Sequence, residues 1–207
     1  MTTPVVRTHY DKIASVYDDR WRRYLERTIS FAVEGVTFSG TEAVLDIACG
    51  TGELERRLLD VWPNVSITAI DLCPAMLEHA RQKPFADKVN WTESDVTKLP
   101  YSDNSFDYVF CVNAFHYFRE PRDALSECQR VLRPSGSLHI VDWCDDYFMC
   151  KLCSMWLRLT NPAFYRTYTL KNCRSMLADA GFRIVCSQRR RLEVVWGMMS
   201  VTANRCP

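Results

Sequence analysis

The chain reads as an α/β protein built on a doubly wound, mostly parallel sheet, and two patterns predict it. From residue 44 onward, short apolar runs alternate with amphipathic helical stretches, without repeats or low-complexity spacers. That is the pattern of a parallel sheet with helices on both faces. The first apolar run also ends in a glycine turn: residues 44–52 are Val-Leu-Asp-Ile-Ala-Cys-Gly-Thr-Gly, followed by a helical stretch. Open α/β sheets bind their ligands at the carboxyl ends of such strands.

The elements follow in order. The first forty residues form a mostly helical leader carrying Tyr10, Tyr17, Trp21 and Tyr24. Tyr10 and Tyr17 lie seven apart, which puts them on one face of a helix. After the 44–47 strand, a helix over 52–62 turns Leu54, Leu58, Leu59 and Trp62 inward. A second strand, 65–70, ends in Asp71. Pro74 suits the first position of the next helix, which buries Met76, Leu77 and Ala80. A third strand over 89–94 leads to Asp95 and Val96. Phe106–Val112 is continuously apolar, as expected of a strand covered on both faces. A helix over 121–132 turns Leu125, Cys128 and Leu132 inward, and Arg133-Pro134-Ser135-Gly136 is a turn with proline at its second position. It feeds a strand over 138–141. Thr169 caps a helix carrying Leu170, Cys173, Leu177 and Ala180, and Gly181 closes it. Strands near 182–187 and 194–203 complete the sheet.

Composition bounds the class. A chain of 207 residues, 47% hydrophobic and 25% charged, predicts a single globular domain over 1–207. The formal net charge of +1 gives no sign of a nucleic-acid or membrane-surface partner. No apolar run approaches the ~20 residues of a transmembrane helix, and the first residues lack an apolar signal core. Of the ten cysteines, Cys111, Cys128 and Cys186 sit inside apolar segments, where free thiols behave as small hydrophobes. A reduced, cytoplasmic protein is the expectation.

The loop at 46–52 narrows the ligand. Glycine lets the backbone take positive φ and approach a ligand closely, and the first turn of the following helix offers unpaired N–H groups to an anion. A dinucleotide fingerprint would place a third glycine where this chain has Glu55. Glu53 and Glu55 would repel a pyrophosphate, which disfavours an NAD(P)-dependent oxidoreductase. A zwitterion with a cationic centre is compatible with both acids. Asp71 follows the glycine turn by about 20 residues, the place of the ribose-hydroxyl acceptor in nucleotide-binding α/β folds; capping of the next helix is the plainer role for it.

These residues resemble the class I S-adenosylmethionine-dependent methyltransferases. Asp46-x-x-Cys49-Gly50-x-Gly52 is similar to the first motif, and Asp71-Leu72-Cys73-Pro74-Ala75-Met76-Leu77 to the segment after it, with Cys73 where a small hydroxyl residue is usual. Ser94-Asp95-Val96 looks like the adenine-binding motif. Phe106–Val112, the loop Asn113-Ala114-Phe115-His116-Tyr117 and the turn 131–136 resemble the later ones. The set is most similar to the small-molecule branch that includes the ubiquinone and menaquinone methyltransferases. The resemblance implies a seven-stranded sheet of order 3-2-1-4-5-7-6 with strand 7 antiparallel, and S-adenosylmethionine as cofactor. It implies cofactor contacts from Tyr17, Asp46, Ala48, Cys49, Gly50, Gly52, Asp71, Leu72, Met76, Asp95, Val96 and Asn113. Asp95 would accept the exocyclic amine and Val96 would lie against the ring.

The acceptor is less constrained. Methyl transfer needs alignment and exclusion of water more than it needs a base, so walls and lids matter most. The leader 1–40 is expected to cap the site. The long connection 143–168, rich in Trp143, Tyr147, Phe148, Met149, Met155, Trp156, Phe164, Tyr165 and Tyr168, is expected to form a lid over a small apolar or aromatic acceptor. His116, after the fourth strand, and Tyr17 are the candidate catalytic residues; a structural hydrogen bond is the plainer role for His116. Two alternatives stay open. Cys144, Cys150, Cys153 and Cys173 could bind a thiophilic acceptor such as arsenite, although no second Cys-x-x-Cys pair of the kind that holds zinc is present. The fold could also bind its cofactor without transferring methyl. No resident metal is expected, and Arg189-Arg190-Arg191 reads as a solvated strand end.

Overall fold

The computed structural model describes residues 3–192 and 197–206. In chain order the elements are α1 (Thr3–Asp11), α2 (Ala14–Val33), β1 (Ala43–Ile47), α3 (Glu53–Val61), β2 (Ser66–Asp71), α4 (Pro74–Arg81), β3 (Val89–Glu93), β4 (Phe106–Val112), α5 (Pro121–Val131), β5 (Leu132–Trp143), α6 (Phe148–Thr160), α7 (Leu170–Asp179), β6 (Phe182–Arg191) and β7 (Gly197–Arg205). One seven-stranded sheet runs β3-β2-β1-β4-β5-β7-β6. β1 pairs in parallel with β2 and β4, as do β2 with β3 and β4 with β5, while β7 lies antiparallel to β5 and β6. This is the order and handedness of pairing that the resemblance implied. The start of the expected last strand, 194–196, falls outside the described residues.

Strand alternation builds two cores, one on each face. Leu45 and Ile47 of β1, Val109 and Cys111 of β4, and Leu138 and Ile140 of β5 pack with Leu125 and Cys128 of α5 and Cys173 and Leu177 of α7. The intervening positions, Val44, Ile67, Ala69 and Phe110, pack with Leu25 and Ile29 of α2 and Leu54, Leu58 and Leu59 of α3. Each such side chain contributes roughly 1.5–3 kcal/mol by leaving water. The same alternation places Asp46 on the α3 side of the sheet, next to Val44.

Three local features depart from the expectation. The leader is two helices, because the chain breaks between Asp11 and Ala14; Tyr10 and Tyr17 therefore stand on different helices, yet their rings meet at 5.9 Å. The turn at 133–136 is absorbed into β5 as a bulge, the register with β4 jumping from Phe106–Leu132 to Tyr108–Ser137. Ser135, not Gly136, takes positive φ there (65°). Gly136 is needed for proximity: a Cβ on it would stand 2.9 Å from the Arg133 carbonyl and 3.1 Å from that of Asp107. The connection 143–168 is mostly a regular helix, α6, tied at its base by a bridge between Cys144 and Tyr168. As expected, the Thr169 hydroxyl accepts from Asn172 N–H at 3.1 Å, and Gly181 has φ 82°.

Candidate functional site

A cavity of about 360 Å³ opens at the carboxyl ends of β1, β2 and β4. The floor is the β1–α3 loop, in which Ala48, Gly50 and Gly52 all take positive φ. Asp71 ties this floor to the next loop: one carboxylate oxygen accepts Gly50 N–H at 2.8 Å and the other accepts Cys73 N–H at 2.8 Å. The capping role and the ligand-facing position thus belong to the same residue, since Asp71 also lines the cavity and a carboxylate has further lone pairs to offer. Burial pushes its carboxyl pKa up, against the backbone N–H groups that hold it down.

Every residue expected to contact the cofactor lines this cavity except Gly52. The reason lies behind the loop. A Cβ on Gly52 would come within 2.7 Å of the Trp91 ring, so the lack of a side chain here lets α3 pack on β3. Asp95 uses one oxygen on Thr97, accepting from its N–H at 2.9 Å and its hydroxyl at 2.8 Å. Asn113, at φ 58°, accepts from Tyr24 hydroxyl at 2.7 Å and donates to Thr28 hydroxyl at 2.8 Å. The α2 residues Tyr24 and Thr28, which fix the Asn113 side chain, escaped the sequence reading; a helix register drawn through Tyr17 and Tyr24 would have pointed at them.

The opposite wall is aromatic. Tyr10, Tyr17 and Tyr117 line the cavity, with Tyr10 at ring distances of 5.9 Å from Tyr17 and 5.5 Å from Tyr117. Burial raises the pKa of all three phenols, that of Tyr117 to about 12. Burial thus favours their neutral, hydrogen-bond-donating form. The helical leader therefore closes the site, with Val6, Leu25 and Ile29 adding apolar wall.

The match with known proteins centres on the strands and loops that carry this cavity. Residues 45–140 match the family model described as a methyltransferase domain. A demethylmenaquinone methyltransferase of Deinococcus radiodurans is 37% identical over 136 residues, covering 64% of this chain and 54% of that protein. The chain spans about half the length of the curated relatives it matches. Among solved structures, the methyltransferase in complex with the Haloferax volcanii Trm112 activator superposes with a TM-score of 0.86 at 19% identity, over 98% of each chain. The [4+2]-cyclase SpnF superposes at 0.81 with 17% identity, over 97% of this chain and 95% of that one. Those two likenesses establish the fold alone. Residues 45–140 thus resemble a methyltransferase domain, and the curated relatives that overlap them are methyltransferases.

The cofactor of such a domain is S-adenosylmethionine, and the site fits it. Asp46 lines the cavity, and its buried Oδ1 meets no hydrogen-bond partner, so the residue keeps an acceptor for which a cationic ligand is suited. Its neighbour is unexpected. Glu55 does not line the cavity; it is fully buried under the loop, and neither of its oxygens meets an N–H or hydroxyl donor from another residue. Two carboxylates in contact can bond only by sharing a proton. Burial, reinforced by mutual repulsion, accordingly pushes the Asp46 pKa well up, and burial raises that of Glu55. Glu55 was read as a cavity-facing acid, but its place three and four residues before Leu58 and Leu59 puts it on the inner face of α3. Glu53 does line the cavity, held by Lys83 at 2.5 Å and Arg56 at 3.0 Å.

His116 is placed away from the cavity. Its Nδ1 lies 2.7 Å from one Asp142 oxygen, which also accepts Trp143 N–H at 2.7 Å; the other Asp142 oxygen accepts His116 N–H at 2.7 Å. The ring stacks on Trp143 at 4.5 Å and 8°, with Phe164 at 5.7 Å. Both residues are buried, and the His116 Nε2 meets no partner. The dyad ties the β4–α5 loop to β5. Asp142, an acid within an apolar strand, is the signal the sequence carried for it.

The segment 143–168 contributes nothing to the cavity lining. Cys150 is buried beneath α6, its Sγ 3.1 Å from Gly197 N and 3.3 Å from Gly197 O. All ten cysteines are free, and among the described residues no three His, Cys, Asp or Glu side chains group as a metal site. Arg189 and Arg190 are paired, with Asp146 at 3.2 Å and Glu34 at 2.6 Å. No helix of the described residues is long and apolar enough to cross a membrane.

Proposed function

We propose that this protein transfers a methyl group from S-adenosylmethionine to a small, apolar or aromatic acceptor. The observation that supports it is the cavity itself, in which three strand-end acids face a wall of three neutral tyrosines. In this reading Asp71 accepts the ribose hydroxyls while still holding Gly50 and Cys73. The free oxygen of Asp95 accepts the adenine amine, with Val96 and Leu72 against the ring. Asp46 and the loop 48–52 meet the charged amino-acid end, and Asn113 is held at the cavity by Tyr24 and Thr28.

The bound cofactor supplies an activated methyl on a sulfonium; the protein aligns it and excludes water. Tyr10, Tyr17 and Tyr117 form the apolar wall against which a flat acceptor would stack, edge to face or offset. Tyr17 acts as a wall and hydrogen-bond donor, because a buried phenol of raised pKa does not take a proton at neutrality. A proton lost by the acceptor would pass to a cavity carboxylate rather than to a tyrosine. Demethylmenaquinone, named in the description of the Deinococcus relative, belongs to this aromatic class.

The test is incubation with methyl-labelled cofactor across quinol, phenol, amine, thiol and arsenite acceptors, read by mass spectrometry. Label on a quinol or phenol is the expected result. Label on arsenite would replace the reading with a thiophilic one. Cofactor binding without label on any acceptor would favour a role that uses the fold without methyl transfer.

A further inference from the structure

Helix α6 shows an apolar face to solvent. Phe148, Leu152, Met155 and Leu159 recur at the spacing of one helical stripe, with Met149 and Trp156 beside it. Phe148 is 72% exposed, Trp156 63% and Leu159 88%. Scattered exposed apolar residues need no explanation, but a contiguous patch marks a binding surface. The helix cannot roll to hide this face. Its inner side is held by Cys150 on the Gly197 backbone and by Ser154, whose hydroxyl lies 3.0 Å from that of Thr167. Tyr147, just before the helix, sits flat on Gly197, where even a Cβ would meet its ring at 2.0 Å.

Charge decides what covers it. α6 carries Lys151 and Arg158, seven residues apart on one flank of the stripe, and no acid. Among the described residues neither makes an ion pair. A third cation, Arg191, lies 5.7 Å from the Tyr147 ring at the amino end of the helix. Of the two acids just before the helix, Asp146 is held by Arg189 and Asp145 accepts the Thr167 hydroxyl. A stripe of Phe, Trp, Leu and Met flanked by cations alone is the pattern of a helix that lies in the surface of an anionic bilayer. Self-pairing through this face would bring the Lys151 and Arg158 of two copies together.

We propose that α6 docks the protein on an anionic phospholipid surface, apolar face down and Lys151 and Arg158 among the headgroups. The net charge of +1 does not oppose this, because screening confines the attraction to charges within about 10 Å of the surface. The loop after α6 carries Tyr165, over which Arg119 of the cavity rim stands at 5.8 Å. Docking would therefore bring the cavity mouth near the membrane. The proposal rests on α6 and not on the identity of the acceptor.

Cosedimentation of the full chain with vesicles of phosphatidylglycerol mixed with phosphatidylcholine, against phosphatidylcholine alone, tests it without reference to catalysis. Binding to the anionic vesicles, weakened by salt, is expected. Lys151→Gln with Arg158→Gln should lose about fivefold per cation removed. The triple variant Phe148→Ser, Trp156→Ser, Leu159→Ser should lose binding with its melting temperature retained, since all three side chains are exposed. Absence of binding to either vesicle, equal binding to both, or full binding by the triple variant would overturn the proposal. A dimer in solution that the triple variant dissolves would assign the face to self-association instead.

Discussion

The two halves of the sheet treat their strand-end acids differently. On the β1–β2–β3 side, Asp46, Asp71 and Asp95 stand at or near the ends of their strands and line the cavity. On the β5 side, Asp142 spends both oxygens on His116 and on the Trp143 backbone. An acid at a strand end thus lines the cavity where the next loop curls back over it, and is a structural anchor where the next loop leaves. What separates the cases is the loop. In the first half, positive-φ residues at 48, 50 and 52 fold the chain back onto the strand end. In the second, the chain goes straight on into α6, whose outer face is apolar.

The sharpest way to break that contrast is Asp142→Ala. It leaves the buried His116 N–H and imidazole without their acceptor, at about 1–3 kcal/mol each, a total of about 2–6 kcal/mol against a typical stability of about 5–15 kcal/mol, and it frees the half-buried Trp143 N–H as well. The variant should unfold far earlier in urea or fail to accumulate, whereas Asp142→Asn, which keeps an acceptor, should fall between. A melting curve unchanged from the parent would mean that the dyad anchors nothing.

Asp71→Ala probes the other half. It removes charge-assisted hydrogen bonds to the ribose worth about 1.5–3 kcal/mol each, so cofactor affinity measured by calorimetry should fall more than about a hundredfold. Because the same carboxylate holds Gly50 and Cys73, some stability should go with it. Asp95→Ala should cost affinity with less stability, since only the Thr97 turn depends on it. Equal affinity in a folded Asp71→Ala protein would leave Asp71 as a cap alone.

Much of this architecture was legible in the sequence, and the misses share a cause. The alternating α/β class, the cavity loop and its acids follow from local patterns: apolar runs, a Gly-x-Gly turn, an acid about 20 residues on; the strand order came only with the family resemblance. The break between Asp11 and Ala14 was not legible, because Lys12-Ile13 contains neither glycine nor proline. The direction of His116 depends on Asn113 at positive φ and on a hydrogen bond from β5, both long-range. Glu55 was legible in principle from its position on the α3 stripe. A charged residue there is the exception that pattern reading passes over, since buried carboxylates are rare unless paired. The lid expectation for 143–168 rested on apolar density, and density does not say which way a face points.

The pair Asp46–Glu55 gives a smaller, pH-dependent effect. Both carboxyls have pKa values raised by burial, so the folded state holds a proton that the unfolded chain has released. Stability is then greatest below the ordinary carboxylate pKa and declines as pH rises through the raised values. Glu55→Gln should abolish that decline, adding more than about 1.4 kcal/mol at alkaline pH, as read by denaturation at pH 6 and about pH 9. A cation at the cavity favours the ionised pair, so cofactor affinity in the parent should rise with pH over the same range, and Glu55→Gln should flatten the rise. Parallel stability profiles for parent and variant would show that no proton is shared.

The smallest effect is expected from Cys150→Ser with Cys153→Ser, and its smallness carries the information. Cys150 is engaged with the Gly197 backbone on the inner side of α6, and no residue of that helix lines the cavity. A serine hydroxyl keeps a donor and an acceptor at the Gly197 contact, with a shorter reach. The double variant should therefore keep its fold, its cofactor affinity and its turnover of an organic acceptor within about twofold of the parent, since substitutions away from chemistry and core strain stay near ±0.5 kcal/mol. Loss of turnover with cofactor binding intact would place the chemistry on the α6 side. It would then be the β5 half of the sheet, not the β1 half, that holds the acceptor.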